Sequence, residues 1–143
     1  MHKILINFKF NNLLIKEYGN WYLLLREKQL TLGSLVLIEK SFKTRYSEIS
    51  RESFSELAII VKEIECVLKK LFSYDKINYL MLMMADNEVH YHIIPRYSQK
   101  KCWDGIYFMD TGWPKLVDFT SSNLIDESSL LKLKTIIINN LGE

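Results

Sequence analysis

The chain has 143 residues, an ordinary apolar content of 48% and a formal net charge of only +2, which gives no electrostatic reason to expect nucleic acid or an acidic membrane as a partner. Its length suits a single domain over residues 1–143, and no apolar run approaches the ~20 residues of a membrane-spanning helix. Two cysteines are too few for a disulfide framework, and the first residues lack the cleavage site of a signal peptide, which together predict reduced thiols in a cytoplasm.

The first forty residues predict two paired strands after a weakly patterned start. Residues 1–18 mix short apolar clusters with Asn and Lys, and they predict only weakly ordered strand or coil. Residues 21–26 and 34–38 are rich in residues that favour strands, and each segment follows a turn that contains glycine. Strands this close in sequence are expected to pair antiparallel.

The clearest predicted element is a long amphipathic helix that begins after Ser50. Ser50 is a suitable N-cap, Glu52 lies in the first turn, and Lys69 and Lys70 lie in the last turn, as the helix dipole favours. The apolar residues follow helical spacing at Phe54, Leu57, Ala58, Val61, Ile64, Leu68, Leu71 and Phe72. This stripe predicts a helix that packs on the sheet.

Two further strands are expected to form a hairpin in the middle of that sheet. Residues 77–84 are almost continuously apolar, which is typical of a central strand covered on both faces. After a turn, polar and apolar residues alternate from Glu88 to Ile93. Because alternate residues of a strand share a face, we expect Glu88, His90 and His92 to project together, with the long helix behind them on the other face.

The remainder completes a predicted α+β fold. Residues 98–118 contain aromatic residues without a period and predict a covering loop. Residues 126–141 predict a C-terminal helix that Ser128 or Ser129 would cap. We therefore expect an antiparallel sheet of about five strands, with the core of the domain at residues 20–118.

The row of Glu88, His90 and His92 allows three interpretations. The histidines are surface residues without a task, or they form a metal site with the carboxylate, since zinc and iron accept such nitrogen and oxygen ligands. Alternatively, one imidazole is a nucleophile or acid–base group that its neighbours orient. The chain has no glycine-rich phosphate-binding loop.

Several segments carry a family resemblance that spans roughly residues 20–118. Residues 89–97 have the sequence VHYHIIPRY, which resembles the histidine triad (HIT) motif, His-φ-His-φ-His-φ-φ, followed by Pro-Arg. Residues 33–40, GSLVLIEK, resemble the family's Gly-His-x-Leu-Val-x-Pro-Lys strand. The segment LMLMMAD at 80–86 and the later Phe108, Asp110, Trp113 and Pro114 resemble the diadenosine polyphosphate hydrolase-like subgroup.

The resemblance implies a HIT-like fold, a nucleotide substrate and a homodimer. It implies that His90 attacks the α-phosphorus of a diadenosine polyphosphate or nucleoside phosphoramidate and forms a nucleotidyl-histidine intermediate. His92 would contact the phosphates or aid the leaving group. Arg26 and Ser34 fall on the strands that usually line the substrate pocket.

The chain departs from the family at three histidine positions, which are Glu88, Ser34 and Phe42 here. A carboxylate about 4 Å from a phosphate oxygen would cost on the order of 4 kcal/mol, or nearly a thousandfold in affinity. Glu88 would avoid this cost by holding a protonated imidazole or by sharing a divalent metal with His90 and His92. The alternatives are therefore an active enzyme, a protein that binds a nucleotide or partner without turnover, and a metal site.

Overall fold

The computed structural model describes residues 1–142, and it is built from a five-stranded sheet, a two-stranded ribbon and four helices within that range. In chain order the elements are α1 (Lys3–Asn7), α2 (Phe10–Leu13), β1 (Leu14–Glu17), β2 (Trp21–Leu25), β3 (Leu35–Glu39), α3 (Arg51–Phe72), β4 (Lys76–Leu80), β5 (His90–Arg96), β6 (Lys101–Trp103), β7 (Ile106–Phe108) and α4 (Glu127–Asn140). A 3-10 turn at Tyr46–Glu48 precedes α3.

The large sheet has the strand order β1-β2-β3-β5-β4, and every neighbouring pair is antiparallel. The predicted antiparallel pairing of β2 with β3, and the predicted α+β sheet of about five strands, are both confirmed. No helix within residues 1–142 is both long enough and apolar enough to cross a membrane.

Helix α3 begins and ends as its sequence predicts. The Ser50 hydroxyl accepts a hydrogen bond from the backbone N–H of Ser53, 3.0 Å away, which satisfies one of the free N–H groups of the first turn. Lys69 and Lys70 lie in the last turn. The fully buried apolar stripe is partly shifted from the predicted one, because Phe54 and Ala58 face solvent. Its members are Ile60, Ile64, Val67, Leu68 and Phe72.

Each face of the sheet is covered by a different part of the chain. The buried residues of α3 pack with Leu23, Leu25, Leu37 and Ile93 from three central strands. The opposite face carries Leu24, Val36 and Ile38, and α1 covers these residues with Ile4 and Leu5. The register pairs Val36 with His92 and Ile38 with His90, so both histidines lie on the face that α3 does not cover. This placement confirms the prediction that the long helix lies behind the histidines.

Three local predictions were wrong. Residues 1–18 form two short helices and strand β1 instead of weakly ordered strand or coil. Strand β4 lies at the edge of the sheet and ends at Leu80, so it is not a central strand that extends to Met84. A strand that reached Met84 would have to pass through Met83, whose positive φ of 52° is far from extended geometry. Helix α4 is capped by Asp126, whose side chain accepts from the N–H of Ser129, instead of by a serine.

Candidate active site

Strand β5 brings the two histidines of the motif together. His90 and His92 lie two residues apart on one face, and their ring centroids are 5.0 Å apart. The residues are only 2% and 7% exposed. The sequence prediction that these two side chains share a face is therefore confirmed.

Glu88 does not share that face as a strand residue. Strand β5 begins at His90, so Glu88 precedes it in an irregular segment, and the expectation of a three-residue row on one strand was wrong. Its main chain nevertheless contacts the site, because Nδ1–H of His90 donates to the Glu88 carbonyl oxygen at 2.7 Å. The predicted contact between an imidazole and the Glu88 carboxylate is replaced by this main-chain bond.

The main-chain bond determines which nitrogen of His90 is free. A carbonyl oxygen only accepts, so Nδ1 must carry the proton. In the neutral imidazole the lone pair then lies on Nε2, at the other side of the ring. A nucleophilic imidazole needs this arrangement, in which one nitrogen is held and the other is free.

His92 is held in its neutral form. Burial, together with a smaller electrostatic contribution from the neighbouring Arg26 and His90 side chains, lowers the pKa of this imidazole to about 4. No acidic group contributes to that shift. Nδ1 of His92 is buried without a hydrogen-bond partner in the described part of the chain. An anion beside this imidazole would reverse the electrostatic part of the shift.

Arg26 supplies the permanent charge of the site. It follows the last residue of β2, and its Nη1 donates to the carbonyl of Lys28 at 3.0 Å. Its Nε is buried and has no partner among residues 1–142, and burial lowers the pKa of the guanidinium. A half-buried guanidinium without a carboxylate partner, near the His92 imidazole, favours binding of an anion.

Comparison with solved structures identifies the architecture. A histidine triad protein from Bradyrhizobium japonicum is 17% identical, with 99% of this chain and 96% of that chain covered and a TM-score of 0.74. A histidine triad protein from Sinorhizobium meliloti 1021 is 20% identical, with 99% and 96% covered and a TM-score of 0.76. Plasmodium falciparum diadenosine triphosphate hydrolase is 15% identical, with 90% and 75% covered and a TM-score of 0.62. This chain has the HIT fold.

The likeness rests on structure alone, since no protein-family model and no curated protein matches the sequence. At identities of 20% or less, structural likeness shows the HIT fold. The roles of individual residues have to be argued from the geometry of this chain. The expectation of a HIT-like fold, drawn from the motif at 89–97, is confirmed.

Ser34 and Phe42, two of the residues that stand where the family has histidine, make their contacts away from His90 and His92. Ser34 is fully buried, its hydroxyl donates to the Thr31 carbonyl at 2.8 Å, and it accepts from the Thr31 N–H at 3.0 Å. It therefore stabilises the turn before β3, and the structure does not bring it to the histidines as a substrate ligand. Phe42 has a positive φ of 58° and stacks on the His2 ring at 3.9 Å.

The residues do not fit a metal ion at this site of the HIT fold. Within residues 1–142 no three His, Cys, Asp or Glu side chains converge to hold a metal ion. The Glu88 carboxylate lies outside the strand, and Nδ1 of His90 is engaged by a carbonyl. The predicted divalent metal site of Glu88, His90 and His92 thus lacks its third ligand.

Two aromatic rings that sequence analysis missed enclose the histidines. The Phe8 ring lies 5.9 Å from His90 and 6.1 Å from His92. The Phe119 ring lies 5.6 Å from His92, and the Arg26 guanidinium lies 5.8 Å from the same ring. The spacing of Ile4, Leu5 and Phe8 was an available signal for the first ring, because these positions share one helical face. Nothing in the local sequence indicated Phe119.

A buried ion pair fixes the far end of the histidine strand. Nε of Arg96 lies 2.7 Å from an Asp110 carboxylate oxygen, and both side chains are almost fully buried. Arg96 also donates to the Asn78 side chain and to the Lys115 carbonyl, each at 2.8 Å. The network joins β5, β4 and the segment after β7, so the face of β5 that bears the histidines has a rigid support.

Proposed function

We propose that this chain is a HIT-family nucleotidyl hydrolase or transferase that uses His90 as its nucleophile. The substrate class is diadenosine polyphosphates or nucleoside phosphoramidates, and the diadenosine triphosphate hydrolase among the structural neighbours supports this choice. The observation that carries the proposal is the bond from Nδ1–H of His90 to the Glu88 carbonyl, which leaves the Nε2 lone pair free on a site that favours anions.

In the first step Nε2 of His90 attacks the α-phosphorus of the substrate. A P–N bond to His90 forms while the bond to the leaving group breaks, and its electron pair goes to the leaving atom. That bond is P–O in a diadenosine polyphosphate and P–N in a phosphoramidate. The phosphate charge raises the pKa of His92 from its low value, because a nearby anion favours the imidazolium. His92 then protonates the leaving oxygen or nitrogen.

In the second step water attacks the phosphorus of the nucleotidyl-His90 intermediate. The P–N bond breaks and its electron pair returns to Nε2. The water proton passes to His92, which restores the proton that it gave in the first step. Arg26 binds the phosphate oxygens throughout, since its half-buried guanidinium has an unpaired N–H and no carboxylate partner.

Turnover of a substrate panel tests this proposal. Wild-type protein is incubated with diadenosine polyphosphates and with adenosine phosphoramidate, and the products are separated and quantified. We expect His90→Ala to lower the rate by roughly 10³-fold or more, because the nucleophile is lost. Tyr91→Phe is the matched control: Tyr91 lies on the same strand but faces away from the histidines. Equal, background-level rates for wild type and His90→Ala over the whole panel would contradict the proposal.

The second candidate is a protein that binds a nucleotide without turning it over. The observation that favours it is the low pKa of His92, about 4, which leaves the site without a ready proton donor at pH 7. Isothermal calorimetry with a non-hydrolysable dinucleotide separates the two functions. Measurable affinity together with background rates over the panel supports binding alone, and turnover that depends on His90 excludes it.

A further inference from the structure

The N-terminal helix covers the face of the sheet that carries the histidines. Ile4 and Leu5 of α1 are buried against Leu24, Val36 and Ile38. In the sheet register Val36 is paired with His92 and Ile38 with His90. Helix α1 therefore lies directly beside the two imidazoles, on the side from which a ligand must approach them.

Phe8 extends this cover onto the imidazoles themselves. Its ring is within about 6 Å of both histidine rings, and the two histidines are almost completely shielded from solvent. Neither histidine lines the cavity beside Phe8 and Arg26. Because both imidazoles are shielded, a nucleotide cannot reach His90 while the Phe8 ring stays in place.

The cover is held mainly by the apolar packing of Ile4 and Leu5 and by the stacking of His2 on Phe42. Helix α1 has five residues and no side-chain N-cap, so it has little stability of its own. Within residues 1–142, a side chain of α1 makes one long-range hydrogen bond, in which Nδ2 of Asn7 donates to the exposed Asp86 carboxylate at 2.7 Å. Lys9, which follows Phe8, adopts a left-handed conformation with φ of 54° and ψ of 51°, which is unfavourable for a residue other than glycine.

We propose that residues 1–8 are an autoinhibitory lid, hinged at Lys9, which must lift from the sheet before a phosphate ligand can reach His90. The identity of that ligand as a nucleotide rests on the proposed function, but the lid itself does not. Lifting exposes Leu24, Val36 and Ile38 and leaves β2, β3 and β5 paired. The closed and open states therefore differ only in the position of this segment.

Chemical modification of the histidines measures lid opening without any substrate. Diethyl pyrocarbonate reacts with accessible neutral imidazoles, and peptide mass spectrometry follows His90 and His92 separately from the exposed His2. We expect the Ile4→Ala/Leu5→Ala variant to be modified at His90 at least about tenfold faster than wild type. Loss of two buried aliphatic side chains generally costs more than the free energy that corresponds to tenfold.

The matched control is Ile6→Ala, because Ile6 lies on the same short helix but is 60% exposed. Its modification rate is expected to equal that of wild type. Equal rates for the double variant and wild type, in proteins with the same thermal unfolding midpoint, would overturn the lid. Faster modification of His90 without any turnover would support the lid while contradicting the proposed enzyme.

A second variant, Lys9→Gly, is expected to change the modification rate of His90 in the opposite direction. This test remains valid even if the double variant does not fold. Lys9→Gly relieves the left-handed strain of the closed hinge, so modification of His90 is expected to slow by several-fold. Because Lys9 also forms an exposed ion pair with Glu27, Glu27→Gln serves as its control and should leave the rate unchanged. A rate for Lys9→Gly equal to or faster than that of Glu27→Gln would contradict the hinge.

Discussion

At the scale of single residues, Glu88, at the first position of the motif, contacts His90 through its main-chain carbonyl. The Glu88 carbonyl accepts a hydrogen bond from Nδ1–H of His90, and any residue at position 88 can offer a carbonyl. A side chain other than histidine at this position therefore leaves the orientation of the His90 ring intact. Glu88 itself precedes strand β5, so it is not part of the strand face that carries the two histidines.

Because the main chain of Glu88 orients His90, we expect Glu88→Gln to keep most of the activity. We expect its kcat/KM to stay within about threefold of wild type, which corresponds to a change in the activation barrier of less than about 1 kcal/mol. His90→Ala should lose nearly all activity on the same substrate. A Glu88→Gln protein that folds normally and is as inactive as His90→Ala would show that the carboxylate takes part in the reaction.

The low pKa of the buried His92 imidazole predicts that the free energy of unfolding depends on pH. The unfolded chain binds a proton at this imidazole below about pH 6.5, whereas burial keeps it neutral in the fold until about pH 4. The unfolded state thus binds more protons between these values, and the free energy of unfolding falls as the pH is lowered from 6.5 to 4. The loss amounts to as much as about 3 kcal/mol.

Urea unfolding at several pH values between 4 and 7 measures this loss. The His92→Gln variant, which has no titrating group at this position, should show a flatter profile than wild type. His2→Gln is the control, because His2 is exposed, and it should keep the slope of the wild type. Identical slopes for wild type and His92→Gln would mean that the buried imidazole does not account for the dependence.

At the scale of elements, the buried pair of Arg96 and Asp110 attaches the segment after β7 to the end of β5. We expect Asp110→Ala to lower the free energy of unfolding by about 3–5 kcal/mol, because the Arg96 charge would remain buried without its partner. Asp104→Asn should cost less than about 1 kcal/mol, since the pair of Asp104 with Lys132 is exposed and asparagine tolerates the positive φ of this position. Similar losses in the two variants, measured by urea unfolding, would contradict this account.

The elements also show which sequence signals determine structure. Helix α3 follows from its cap, its charges and its period, all of which lie within one segment. The apolar run at 77–84 was misleading, because apolar content does not reveal whether a strand lies in the middle or at the edge of a sheet. Strand pairing decides that, and it ends at Leu80 opposite His92. The two N-terminal helices depend on contacts with distant strands, which local pattern does not contain.

At the scale of the whole molecule, the fold divides the sheet into a structural face and a chemical face. Helix α3 and the larger core cover one face, while the histidines and the N-terminal lid share the other. The alternation of residues in β5 was enough to predict His90 and His92 as neighbours. Phe8 and Phe119 could not be found in this way, because they come from segments more than 100 residues apart in sequence that meet only in the fold.

The central claim is that His90 becomes covalently bonded to a nucleotidyl group. The most direct measurement is intact and peptide mass spectrometry of wild-type protein mixed with diadenosine triphosphate and quenched in alkaline denaturant, which preserves a P–N bond. We predict a mass increase of one adenylyl group, located on the peptide that contains His90 and absent from His90→Ala. Turnover of this substrate without any such adduct, or an adduct that persists in His90→Ala, would contradict the account.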